Sequence, residues 1–167
     1  MEISDLLSIE PFSWRAIFTV LLCGSIIGIE RQLRGKPIGI RTSTLITFGT
    51  YVFVASAASL NSTSADPSRV IGQVITGIGF LGAGVIMSRD GVVVGVTSAA
   101  SIWILASIGV VIGMHHYLTA IILAFLVVGI LSGVEWLESS FQSLSRGVHS
   151  RYQKWRRKTD KRSDTDT

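Results

Sequence analysis

Between Arg41 and Met114 the chain carries only four charged side chains: Asp66, Arg69, Arg89 and Asp90. A soluble fold needs charged groups on every outward face, and this stretch cannot supply them. Hydrocarbon asks for the opposite. Its core, about 30 Å thick, is crossed by roughly 20 apolar residues of helix. Segments near that length run from about Trp14 to Ile29, Thr42 to Leu60, Val70 to Met87, Val92 to Gly113 and Tyr117 to Val134. The first is short, and Arg15 near its start reaches the headgroups by snorkelling. The expectation is an all-α, polytopic transmembrane bundle of five spans over residues 1–136, followed by a tail over residues 137–167.

The amino terminus does not read as a secretory signal. Glu2, Asp5 and Glu10 stand where basic residues would be needed, and Glu30-Arg31 follows the apolar run in place of a cleavage site. The single Cys23 excludes an internal disulfide and a cysteine-built metal site, leaving it as a small apolar filler. Five spans put the termini on opposite sides. Arg31, Arg34, Lys36, Arg41, Arg89 and the tail's basic cluster share one side, against Arg15 and Arg69 on the other. The basic side belongs in the cytoplasm, so the amino terminus is expected outside and the carboxyl terminus inside. Boundary residues agree: Asp66 can cap a helix beginning at Pro67, Gly35, Pro37 and Gly39 punctuate a loop, and Met114, His115 and His116 fill a tight helical hairpin.

Residues 77–82 read GIGFLG, the spacing of a dinucleotide-binding turn. Such a turn needs a strand before it, a helix after it and an acidic residue about 20 positions on. Here the glycines lie inside an apolar run, so no cofactor is expected. In lipid, helices associate through small residues that let backbones approach. Gly24 with Gly28, Gly109 with Gly113, and Gly129 with Gly133 form G-x-x-x-G pairs, while Gly72, Gly77, Gly79, Gly82, Ala83 and Gly84 crowd the third span. That crowding points to the third span as the central helix. A second option is a helix broken at these glycines, exposing carbonyls to an ion.

Polar groups at membrane depth are costly and therefore informative. Arg69, Gln73, Thr76 and Gly77 form one stripe on the third span, and Thr97, Ser98 and Ser101 lie on the fourth. Isolated Ser and Thr are expected to bond back to their own helix, whereas Gln73 needs a partner across helices or a water. Glu30, Arg31, Arg41 and Thr42 read either as an interfacial ion pair at helix ends or as a functional group. Asp66 reads as a cap, Arg89-Asp90 as a surface turn, and His115 with His116 as either a pH sensor or a polar turn. Magnesium takes one or two carboxylates plus water, and no acidic pair lies inside the spans, so no metal cage is expected.

Beyond Val134, Leu137, Phe141, Leu144, Val148, Tyr152 and Trp155 recur every three or four residues beside Arg146, Arg151, Lys154 and the Arg156–Lys158 cluster. This pattern suits an interfacial helix drawn to anionic lipids, with Trp136 as its anchor and a disordered polar end. Nucleic acid is the weaker alternative partner.

The stretches GSIIGIERQLRGKPIGIRTSTLITFG, DPSRVIGQVITGIGFLGAGVIM and GVTSAASIWILASIGVVIG resemble, in this order, the MgtC/SapB family of bacterial inner-membrane proteins. The resemblance implies a five-span membrane domain and a role in adaptation to low magnesium, stress and virulence. In virulence-type members that role goes with modulation of the F-type ATP synthase. Such members carry Asn where this chain has Thr97, and Cys where it has Ile104. Longer members add an ACT-like carboxyl-terminal domain, and the basic tail is too short for one. By motif match the residues that matter are Glu30, Arg31, Gly39, Arg41, Thr42, Arg69, Gln73, Gly77, Gly79, Gly82, Gly84, Thr97, Ser98 and Trp103. The resulting expectation is a non-enzymatic regulator that binds another membrane complex, with a homo-oligomer as a further option. The alternative is a small ion transporter or channel using Gln73, Thr97 and the glycine stretch. No nucleophile–base pair supports an enzyme.

Overall fold

Ser13 starts the first helix. Its extended backbone and its Oγ, which accepts the Ala16 N–H at 3.2 Å, cap α1, Trp14–Leu33. The computed structural model describes residues 9–60, 67–89 and 92–140. Gly35 ends α1 in the left-handed region at φ +63°, with the Lys36 N–H on the Arg31 carbonyl and the Gly35 N–H on that of Gln32, both at 3.0 Å. That pair of bonds satisfies carbonyls the helix end would otherwise orphan. The side chain of Gln32 then accepts the Ile40 N–H at 3.3 Å, tying α1 to the start of α2, Ile40–Ser59.

Pro67 opens α3, Pro67–Gly84, at the first-turn position where its missing N–H costs nothing. The expected cap, Asp66, lies outside the described residues, as do Asp90, residues 1–8 and the tail from residue 141. Strands β1, Met87–Arg89, and β2, Val92–Val94, pair antiparallel with Met87 opposite Val94 and Arg89 opposite Val92. The sequence reading extended helices into both segments. The β-branched run of three valines following Asp90-Gly91 favours a hairpin instead. Gly95, at φ +92°, caps α4, Val96–Gly113, and a Cβ there would run into the Val85 carbonyl. Only glycine fits that turn. α4 ends as α1 does, with His115 at φ +64° in glycine's place, and α5, Tyr117–Ser140, follows at once, as the tight hairpin expectation required.

The chain divides into two compact units, Met1–Val128 and Gly129–Thr167. Within the first, α5 buries Ala120, Ala124 and Val127. Tyr117 Oη lies 3.3 Å from Ser13 Oγ and 2.9 Å from His115 Nδ1, and the Ser13 N–H donates to Tyr51 Oη at 3.0 Å. In the second unit, the described part is helix, and Cβ atoms at Gly129 and Gly133 would meet nothing within 4 Å.

The centre of the first unit is α2, not the glycine-crowded α3. A Cβ at Gly24 would lie 2.6 Å from Thr44 Cα, and one at Gly28 only 2.5 Å from Ile40 Cα, so α1 and α2 touch backbone to backbone and run antiparallel. On the other side, a Cβ at Gly109 would lie 2.6 Å from the Thr47 carbonyl, and one at Gly113 would lie 2.5 Å from Val54 Cγ1. These pairs make α2 and α4 parallel. Gly82 faces Ala99, and Ile71–Ile78 lie against Trp103–Val111, so α3 runs antiparallel to α4 along its flank. Cβ atoms at Gly72, Gly77, Gly79 and Gly84 would meet nothing. The helix also continues unbroken through GIGFLGAG, which removes the broken-helix option.

Among the described residues there are five helices, and three stretches are long and apolar enough to cross a membrane: Trp14–Leu33, Val96–Gly113 and Tyr117–Val134. The hydroxyls of α2 and the glycines of α3 lower the apolarity of those two. Close approach should separate otherwise similar glycine substitutions. Gly28→Ala should destabilise the protein in detergent by about 1–3 kcal/mol through overpacking. Gly79→Ala should leave it unchanged or gain up to about 1 kcal/mol of helix propensity. Thermal unfolding of the two variants checks this, and equal shifts would contradict the packing.

Candidate functional site

The last turn of α1 meets the first turns of α2 and α4, and charge is buried there. Arg31 is only 2% exposed and its Nη2 donates to Ser98 Oγ at 3.0 Å. Glu30 is 8% exposed, and Arg34 Nε lies 2.5 Å from its Oε1. That distance makes an ion pair, yet the approach does not meet hydrogen-bond geometry, and neither Glu30 oxygen has a hydrogen-bond partner. Arg31 Nε, Ser43 Oγ and Thr44 Oγ1 are likewise buried without one. Ser43, Thr47 and Thr50 are buried along one face of α2, with Thr47 Oγ1 donating to its own Ser43 carbonyl at 3.0 Å and facing the Leu105 carbonyl at 3.4 Å. A hydroxyl seam thus runs between α2 and α4 beneath the charged cluster. Burying charges this way is expensive, and the Glu30–Arg34 ion pair and the Arg31–Ser98 hydrogen bond offset part of that cost.

A second feature lies on the other flank of α2. A cleft of about 610 Å³ separates it from α3, with Arg41, Thr42, Gln73 and Gly77 in its lining among mostly apolar side chains. Because α3 is antiparallel to α2, Arg41 and Thr42 stand at the Leu81 end and Gln73 nearer the Phe53 end. Trp103 lines a smaller apolar hollow of about 220 Å³ between α3 and α4.

The structure therefore groups Glu30, Arg31 and Ser98 in one place, and Arg41, Thr42, Gln73 and Gly77 in another. Arg69 and Thr97 are exposed and join neither group. Gly82 is buried against Ala99, while Gly79 and Gly84 are exposed. The hydroxyls of Thr76 and Ser101 bond back to the carbonyls of Gly72 and Thr97, at 3.0 and 2.8 Å. The ion pair at the end of α1 links Glu30 to Arg34, while Arg31 turns inward. Sequence reading passed over Arg34, Ser43, Thr44, Thr47 and Thr50. Two signals were available: the Glu30–Arg34 spacing of four, which favours a helical ion pair, and the recurrence of hydroxyls at 43, 47 and 50 on one helical face. Among the described residues no three of His, Cys, Asp or Glu come together as a metal site.

Apolar helices joined through glycine around a buried guanidinium define a helical membrane protein. The MgtC family model matches residues 17–140, and the chain belongs to that family. It is 46% identical over 113 residues to "Putative magnesium transporter YhiD" of Escherichia coli K12, covering 64% of this chain and 52% of that one. It is 40% identical over 105 residues to "Protein MgtC" of Salmonella typhimurium, covering 63% and 45%. A third relative, "Protein MgtC" of Brucella abortus, is 40% identical over 131 residues, 76% of this chain and 54% of that one. The chain thus spans about half the length of these relatives. No solved structure matches it significantly.

The two buried serines of α4 should respond differently to truncation. Ser98→Ala removes a hydrogen bond to a buried charge and should cost about 1.5–3 kcal/mol. Ser101→Ala removes only a bond to its own helix and should change stability by less than about 0.5 kcal/mol. Denaturation of each variant in the same detergent checks the difference, and equal losses would count against the Arg31–Ser98 contact.

Proposed function

We propose that this chain is a non-enzymatic regulator in magnesium or stress adaptation, resident in the bacterial inner membrane, which acts by docking another membrane complex. The outer face of α3 carries this reading. Gly72, Thr76, Gly79 and Ala83 recur there at helical spacing, all are exposed, and Cβ atoms at Gly72 and Gly79 would meet nothing within 4 Å. On α1 and α4 the same kind of glycine brings a second backbone into contact, so the face on α3 is suited to a helix from outside the chain. The reading takes all five helices as spans, with the amino terminus outside and the carboxyl terminus in the cytoplasm by the bias of basic residues. Of the two helices that fall short of the apolarity of a span, α2 has its hydroxyl face buried against α4 and away from lipid. The F-type ATP synthase is the complex that the family resemblance brings forward.

Membranes from magnesium-starved cells, extracted in mild detergent, supply the test. The wild-type chain should retain a partner complex, and Gly79→Leu should lose it while keeping its unfolding temperature. A wild-type protein that retains nothing under starvation removes the proposal.

The buried cluster favours a second reading, a small magnesium or proton carrier, since it holds a buried carboxylate, Glu30, paired with Arg34 through one oxygen. One relative's printed name, a putative magnesium transporter, points the same way. In liposomes that reading requires magnesium or proton flux that Glu30→Gln abolishes. The regulator reading expects no flux from either protein.

A further inference from the structure

We propose that the cleft between α2 and α3 binds one anionic phospholipid, its phosphate at Arg41 and Thr42 and an acyl chain along the groove. The chemistry of the cleft is graded from one end to the other. At the Leu81 end stand the Arg41 guanidinium and the Thr42 hydroxyl, both exposed. They occupy the first turn of α2, where Gly39 gives no side-chain cap. The Ile40 N–H is taken by Gln32, but those of Arg41 and Thr42 lie in the turn that has no intrahelical acceptor. The positive end of a 20-residue helix and the Arg41 side chain thus share the mouth of the cleft, a combination that suits phosphate oxygens. Lys36 is exposed in the loop just before it and adds to the positive field.

Away from that end the walls are Leu45, Phe53, Val74 and Leu81, with Gly49 and Gly77 leaving the floor open. From position 41 to position 53 the helix rises about 18 Å, so the groove is long as well as apolar. Its volume of about 610 Å³ falls within the range of small-molecule sites. A cation at the mouth of a long apolar groove matches an anionic amphiphile, and at the basic end of a membrane bundle that amphiphile is an anionic phospholipid. This site is separate from the outer face of α3 invoked for docking, so either proposal can fail alone.

Native mass spectrometry of the full chain tests the idea, with phosphatidylglycerol and phosphatidylcholine of identical acyl chains as probes. Wild type should hold one phosphatidylglycerol in preference to phosphatidylcholine. Arg41→Gln should weaken phosphatidylglycerol by about tenfold or more and erase the preference. Gly49→Leu should displace both lipids, because a Cβ at Gly49 meets nothing within 4 Å and the added side chain fills the groove without disturbing its own chain. Gly77→Leu, from the opposite wall, serves if Gly49→Leu does not fold. Equal retention of the two lipids by wild type overturns the proposal, as does an unchanged preference in Arg41→Gln. So does a Gly49→Leu protein that turns from dimer to monomer with its lipid intact, which would give the groove to a second copy.

Discussion

Backbone contact between α2 and its two neighbours is the interaction on which the rest of the bundle depends. Side chains surrounded by lipid gain little by leaving it, so apolar surface alone gives weak reason for helices to choose one another. Gly24 and Gly28 on one side, and Gly109 and Gly113 on the other, let α2 approach so closely that any added Cβ would overlap main-chain or side-chain atoms. Dispersion then acts over many short contacts, each small and together large. The contacts are also selective, since they require glycine on one helix to face a particular turn of the next.

That arrangement makes the polar interior possible. α1 runs against α2 while α4 runs with it, which brings the carboxyl end of α1 to the amino ends of the other two. The negative end of α1 favours its own Arg31 and Arg34. The Ser98 hydroxyl, from the first turn of α4, takes up the Arg31 guanidinium, and Arg34 pairs with Glu30. The hydroxyls of Ser43, Thr47 and Thr50 continue the polar seam inward, covered by α4. α2 is less apolar than α1, α4 and α5 for this reason: its neighbours, rather than lipid, are its solvent.

Much of this was legible in the sequence. The helical class, the tight turn at His115-His116 and the start of α3 at Pro67 all follow from local chemistry. Glu30, Arg31 and Ser98 stand out in the sequence as well, although only tertiary structure brings Arg31 and Ser98 together across 67 positions of chain. Two features were not recovered. The hairpin at Met87–Val94 reads as helix because apolar residues continue through it, and its valine run and Asp-Gly pair were outweighed by hydropathy. The identity of the central helix was misjudged because glycine density marks where a backbone can approach, not which backbone does so. Four glycines on two outer helices identify α2 better than any feature of α2 itself.

The surplus glycine of α3 then calls for its own account. Each glycine inside a helix costs about 1 kcal/mol relative to alanine. On α1 and α4 close approach offsets that cost. On α3, Gly72, Gly77 and Gly79 have no such contact among the described residues, so a helix carrying all three is about 3 kcal/mol less favourable than its alanine counterpart. Nothing among the described residues of the first unit lies where a Cβ at these glycines would stand. The difference is recovered when another backbone or a flexible chain lies where the side chains are missing. Under the two proposals the outer face takes the first and the cleft with Arg41 at its mouth takes the second.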